Sequence, residues 1–80
     1  MTKHKQVFNV HAYSPSGAFE EVDDIYASRK AALAGGVQVY ADYYGEHDGC
    51  IKDVECELDE NGTYDDGNMV IEITWSWVRG

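Results

Sequence analysis

Eighty residues with a net charge of −9 and 44% hydrophobic content describe a small, strongly acidic globular chain. That apolar content speaks against disorder, and the length suits one domain over residues 1–80 with a single small core. The charge repels nucleic acid and anionic membrane, so the expected partner is a basic protein surface.

The acidity is lopsided. Residues 1–40 carry four basic and four acidic groups, whereas residues 41–80 carry two basic and eleven acidic ones. The basic start, Met1-Thr2-Lys3-His4-Lys5-Gln6, has no apolar run behind it, and no stretch is long enough to span a bilayer. A cytoplasmic protein without a signal peptide is the expectation.

Residues 5–13 alternate, with Phe8, Val10 and Ala12 on one side and Val7, Asn9, His11 and Tyr13 on the other. This predicts a first strand, followed by a turn at Ser14-Pro15-Ser16-Gly17. Residues 18–27 read either as a returning strand, with Val22, Asp24 and Tyr26 on one face, or as a helix grouping Phe19, Val22, Ile25 and Tyr26. The strand is preferred, because it runs straight into a helix start at Ser28. Beyond Ser28, Leu33, Val37, Tyr40 and Tyr44 form a stripe at helical spacing, and Gly45 stands where a left-handed cap belongs. Gly35-Gly36 interrupts the pattern. Either these glycines let a helix press closely on a sheet, or the helix ends there and residues 37–43 form a strand; the continuous stripe favours the helix.

Residues 50–59 alternate as well. Cys50, Val54, Cys56 and Leu58 fall on one side, with Lys52 as an exception. Asp53, Glu55, Glu57 and Asp59 fall on the other, with Ile51 at its start. A half-buried strand with reduced, core-facing cysteines and an outer row of carboxylates is the prediction. Asn61-Gly62 then suggests a hairpin turn, extended by a loop at 64–68. Met69, Ile71, Ile73, Trp75 and Trp77 alternate with Val70, Glu72, Thr74, Ser76 and Val78 in a last strand. Its apolar face requires cover, and the helix stripe supplies it, so Trp75 and Trp77 are expected to be buried. The predicted fold is α+β: two hairpins around one helix, ββαββ, forming a four-stranded antiparallel sheet with the helix on one face.

Between Asp42 and Asp66 stand ten carboxylates against the single base Lys52. A solvated face normally mixes its signs, so this density marks a candidate partner-binding surface: Glu46, Asp48, Asp53, Glu55, Glu57, Asp59, Glu60, Asp65 and Asp66. At about 6.5–7 Å between alternate residues of a strand, carboxylates would be spaced much like successive phosphates of a nucleic acid. Tyr13, Tyr26, Tyr43 and Tyr44 are candidate anchors beside it. The oxygen-rich run 59–66 does not fit a calcium loop, since Tyr64 stands where glycine is needed and Val70 where the last glutamate is needed. His47, Asp48 and Cys50 lack zinc spacing. No nucleophile elbow, phosphate loop or Cys/His pairing suggests catalysis, so neither an enzyme nor a metal or cofactor is expected.

In size, charge and strand-borne acidity the chain resembles the small acidic anti-defence proteins that bacteriophages encode, the anti-CRISPR and anti-restriction nucleic-acid mimics. The resemblance implies a stoichiometric inhibitor whose acidic face occupies a basic nucleic-acid groove of a host defence complex such as a CRISPR effector. Two rival readings are an immunity or antitoxin-type inhibitor of a nuclease and a small structural or assembly protein whose charge serves solubility.

Overall fold

The computed structural model describes residues 4–45 and 49–79, and shows the order ββααββ. Strand β1 (His4–Tyr13) and strand β2 (Val22–Tyr26) form the first hairpin. Helix α1 (Arg29–Tyr44) and helix α2 (Ile51–Asn61) follow, and strands β3 (Thr63–Asp65) and β4 (Val70–Arg79) form the second hairpin. The four strands make one antiparallel sheet in the order β2-β1-β4-β3. The expected α+β class and a four-stranded antiparallel sheet are therefore present, with two helices in place of one and with β3 at 63–65, where a turn and loop were expected, in place of a strand at 50–59.

The centre of the sheet is the long pairing of β1 with β4, running from His4↔Arg79 to Tyr13↔Val70. Its register puts Phe8, Val10 and Ala12 beside Trp75, Ile73 and Ile71 on the face that meets the helices. Val10, Ala12, Met69 and Ile71 are fully buried there against Ala32, Tyr40, Val54 and Leu58 from the two helices. The opposite face is open and carries His11, Asp23 and Glu72 in neighbouring strands.

Helix α1 starts as predicted: the Ser28 hydroxyl accepts a hydrogen bond from the Ala31 amide at 3.1 Å. It runs unbroken through Gly35-Gly36 and ends at Gly45, whose positive φ of 106° only glycine adopts freely and whose amide donates to the Ala41 carbonyl. The glycines are contact points. A Cβ on Gly36 would lie 3.0 Å from Leu58 Cδ1 and 3.4 Å from Ile71 Cγ2, and one on Gly35 would collide with the ring of Tyr26. The buried stripe is consequently Ala32, Gly36 and Tyr40, with Leu33 and Val37 only partly buried beside it and Tyr44 exposed.

The stretch 51–61 is helical, which overturns the strand expected there. Ile51, Val54 and Leu58 stand at spacings of three and four, so they share one face of a helix, and Val54 and Leu58 are fully buried. Glutamate, lysine and leucine are good helix formers, whereas aspartate, glutamate and lysine are poor in strands. Asp53 in the first turn suits the positive end of the helix dipole. Gly62 closes the helix in a left-handed conformation (φ 73°, ψ 6°), its amide donating to the Leu58 carbonyl. The Asn61-Gly62 pair is thus a helix cap; a hairpin turn and a helix cap both demand positive φ, and the dipeptide alone does not separate them. Cys56 and Cys50 are exposed, contrary to the core-facing expectation.

Trp75 and Trp77 are likewise exposed, each at 58%, although both share the helix-side pleat of β4 with Ile71 and Ile73. Beyond the Val10–Ile73 level the β1–β4 ribbon outruns the helices, so the parity of these residues is right and the cover is missing. The two indoles pack edge to face on each other, centroids 5.9 Å apart.

Candidate functional site

A helix distributes the acidic residues of 51–61 differently from a strand. At about 100° per residue, Asp53, Glu57 and Glu60 cluster on one outward flank within roughly 60° of one another, Asp53 and Glu57 about 6 Å apart along the axis. Glu55 and Asp59 point to the other flank, with Lys52 and Cys56 between the two groups. All seven side chains are exposed. The single row of four carboxylates expected from a strand is therefore divided in two.

The second group is also partly engaged. Arg29, in the first turn of α1, donates from Nη1 to Asp59 Oδ1 and from Nη2 to the Asp59 carbonyl oxygen, both at 2.5 Å. This guanidinium ties the start of α1 to the unsatisfied carbonyl end of α2. Asp53, Glu57 and Glu60 remain as the coherent acidic flank.

Asp65 and Asp66 take a structural role. Asp66 Oδ1 accepts the amides of Asn68 and Met69, and Oδ2 accepts the hydroxyls of Tyr44 and Tyr64. Asp65 Oδ1 accepts the Gly67 amide. Partial burial pushes the Asp66 carboxyl up, but the bonds from Tyr44, Asn68, Met69 and Tyr64 outweigh it and hold its pKa below the ordinary carboxylate value. Burial first, then Asp66, pushes the Tyr64 phenol well up. The run 59–66 is divided between the end of α2, strand β3 and the turn built on Asp66. Glu46 and Asp48 lie outside the described residues, as does His47.

The tyrosines lead to a feature that the sequence reading passed over. Between β2 and α1 lies an open groove of about 350 Å³. Val22 and Val39 give it an apolar floor, Tyr26 closes it over Gly35, and Phe19 and Tyr43 form one wall with ring centroids 5.3 Å apart. Asn68 donates to the hydroxyl of Tyr43 at 3.3 Å, holding that ring from the second hairpin. Three carboxylates stand among this apolar lining, Glu20 and Asp24 from the β2 side and Asp42 from α1, and no lining residue is basic. Gln38 donates to Asp42 Oδ1 at 2.8 Å and fixes that carboxylate. The available signal was Asp24: it sits between Val22 and Tyr26 on the helix-side pleat, where an apolar residue would be expected.

On the open face, His11 Nε2 meets Glu21 Oε2 at 2.6 Å and its ring lies 5.3 Å from Tyr13. The hydrogen bond to Glu21 raises the imidazole pKa above its ordinary 6.5, against partial desolvation, with Asp23 and Glu72 adding to the effect. The open face thus gathers Glu21, Asp23 and Glu72 around His11.

Searched against protein-family models, curated proteins and solved structures, the chain matches none of them. No helix among the described residues is long and apolar enough to cross a membrane.

Proposed function

We propose that the protein is a stoichiometric inhibitor, acting in the cytoplasm without cofactor or turnover, that sets an acidic surface against the basic nucleic-acid-binding groove of a host defence complex such as a CRISPR effector. The observation that carries this reading is the outward flank of α2, where Asp53, Glu57 and Glu60 stand together on a helix closed at its C-terminus by Gly62. Asp53 and Glu57 lie about 6 Å apart along the helix axis and Glu60 about 4.5 Å further on, so the flank presents closely spaced like charge suited to a basic groove. The flank replaces the strand-borne row as the mimicking element, and the net charge of −9 supplies long-range attraction to a basic groove.

The test uses purified CRISPR effector complexes and a labelled target duplex. The wild-type protein is expected to displace the duplex at one molecule per complex and to associate more slowly as salt is added. Neutralising the flank with Asp53→Asn, Glu57→Gln and Glu60→Gln keeps side-chain size and shape and is expected to abolish displacement, while circular dichroism stays unchanged. Displacement by the neutralised variant equal to wild type would overturn the reading. Inhibition of a nuclease with no effect on any effector's DNA binding would transfer the flank to an immunity-type inhibitor.

A further inference from the structure

The groove between β2 and α1 is independent of α2, which packs on the β3 and β4 side of the helix layer. Its composition is unusual for the edge of a small core. An edge strand commonly carries an inward-pointing charge that discourages edge-to-edge pairing, and Asp24 alone would fit that explanation. Asp24 is not alone. Asp42 stands on the facing helix, Glu20 lines the same groove, and aromatic rings line it with them. Carboxylates gathered around an apolar hollow, with no basic residue lining it, are complementary to a cation with an apolar body.

We propose that this groove takes an arginine side chain presented by a protein partner. A guanidinium is flat, so it stacks on an aromatic face such as the Phe19–Tyr43 wall, and it is weakly hydrated, so it enters a partly apolar groove at modest desolvation cost. Its donors fan out in one plane, and carboxylates line the groove from both sides, Asp24 on the strand and Asp42 on the helix. The methylene stem lies along Val22 and Val39. The groove volume, about 350 Å³, is at the small end of ligand pockets and suits one long side chain. Much of the receptor is set in advance: Gln38 fixes Asp42, Asn68 holds Tyr43, and Gly35 leaves the space in which Tyr26 lies. Such preorganisation reduces the ordering cost of binding.

The experiment titrates the blocked tripeptide Ac-Gly-Arg-Gly-NH₂ into the isotopically labelled protein and follows backbone amide shifts. Saturable shifts confined to the Val22–Tyr26 strand and to residues 35–43 of α1 are expected. The citrulline counterpart, which keeps the shape and loses the charge, should produce at least about tenfold weaker binding. The Asp24→Asn, Asp42→Asn double variant should weaken the arginine peptide to a similar extent, and its amide spectrum reports whether the fold is intact. Neutralising Asp53, Glu57 and Glu60 on α2 should leave the titration unchanged, which keeps this result separate from the role of that flank. Equal responses to the arginine and citrulline peptides would overturn the proposal, as would shifts spread over every acidic segment. Absence of any shift would also overturn it and leave Asp24 as edge protection.

Discussion

At the scale of single residues, Asp66 organises more of the molecule than its exposed position suggests. One carboxylate gathers two amides of its own turn and two tyrosine hydroxyls, one from α1 and one from β3. Asp66→Ala leaves these donors to water and is expected to cost about 1–3 kcal/mol in urea unfolding at pH 7. Because the folded-state pKa is depressed, the contribution is present above the unfolded carboxylate value, near 3.9, and is lost as pH falls through the folded value. The gap between wild type and Asp66→Ala should therefore narrow below about pH 4. His11 behaves with the opposite sign. Its pKa is raised by Glu21, so its stabilisation is complete below about 6.5 and disappears as pH rises through the folded value. An NMR titration should place its midpoint above 6.5, and Glu21→Gln should lower it.

At the scale of elements, α2 and β4 show what periodicity resolves. In α2 every other residue from 53 to 59 is acidic, which imitates a strand, while the apolar spacing 51, 54 and 58 is helical. The apolar residues decide, because burial of Val54 and Leu58 contributes far more than the placement of exposed carboxylates. In β4 the period of two gives the pleat but not the extent of cover. A ten-residue strand is about 33 Å long, while α1 at sixteen residues reaches about 24 Å, so part of the ribbon stays uncovered. Leu58→Ala should accordingly cost about 2–5 kcal/mol. Trp75→Ala removes chiefly the edge-to-face contact with Trp77 and should cost about 0.5–1.5 kcal/mol. Comparable losses in denaturant melts of the two variants would show that the indoles belong to the core after all.

At the scale of the whole molecule, the net charge of −9 opposes compaction. Screening shortens to a Debye length of about 10 Å at 0.1 M salt, so moderate sodium chloride should raise the melting temperature. The variant neutralised at Asp53, Glu57 and Glu60 should melt higher than wild type at low salt and converge with it at high salt. A gain of about 1 kcal/mol would correspond to roughly 4–8 °C for a domain of this size. A flat salt response would mean that the Arg29–Asp59 pair and the spacing of the charges already relieve the repulsion.

The chain's own pattern determined the α+β class, the inward faces of β1 and β4 and the cap at Ser28, and it favoured a helix pressed closely on the sheet at Gly35-Gly36 over one ending there. Each follows from local rules: a period of two, a side-chain oxygen at a helix start, and the absence of a Cβ. Tertiary structure alone decided three things. It chose helix over strand for 51–61, since an acidic alternation of two and an apolar spacing of three and four coexist there and the burial of Val54 and Leu58 against the sheet favours the second. It left Trp75 and Trp77 uncovered, because the reach of a helix over a strand depends on relative lengths and crossing direction. It also made the groove, whose acidic residues lie at 20, 24 and 42: carboxylates this far apart in sequence meet only when β2 folds back on β1 and α1 packs above them.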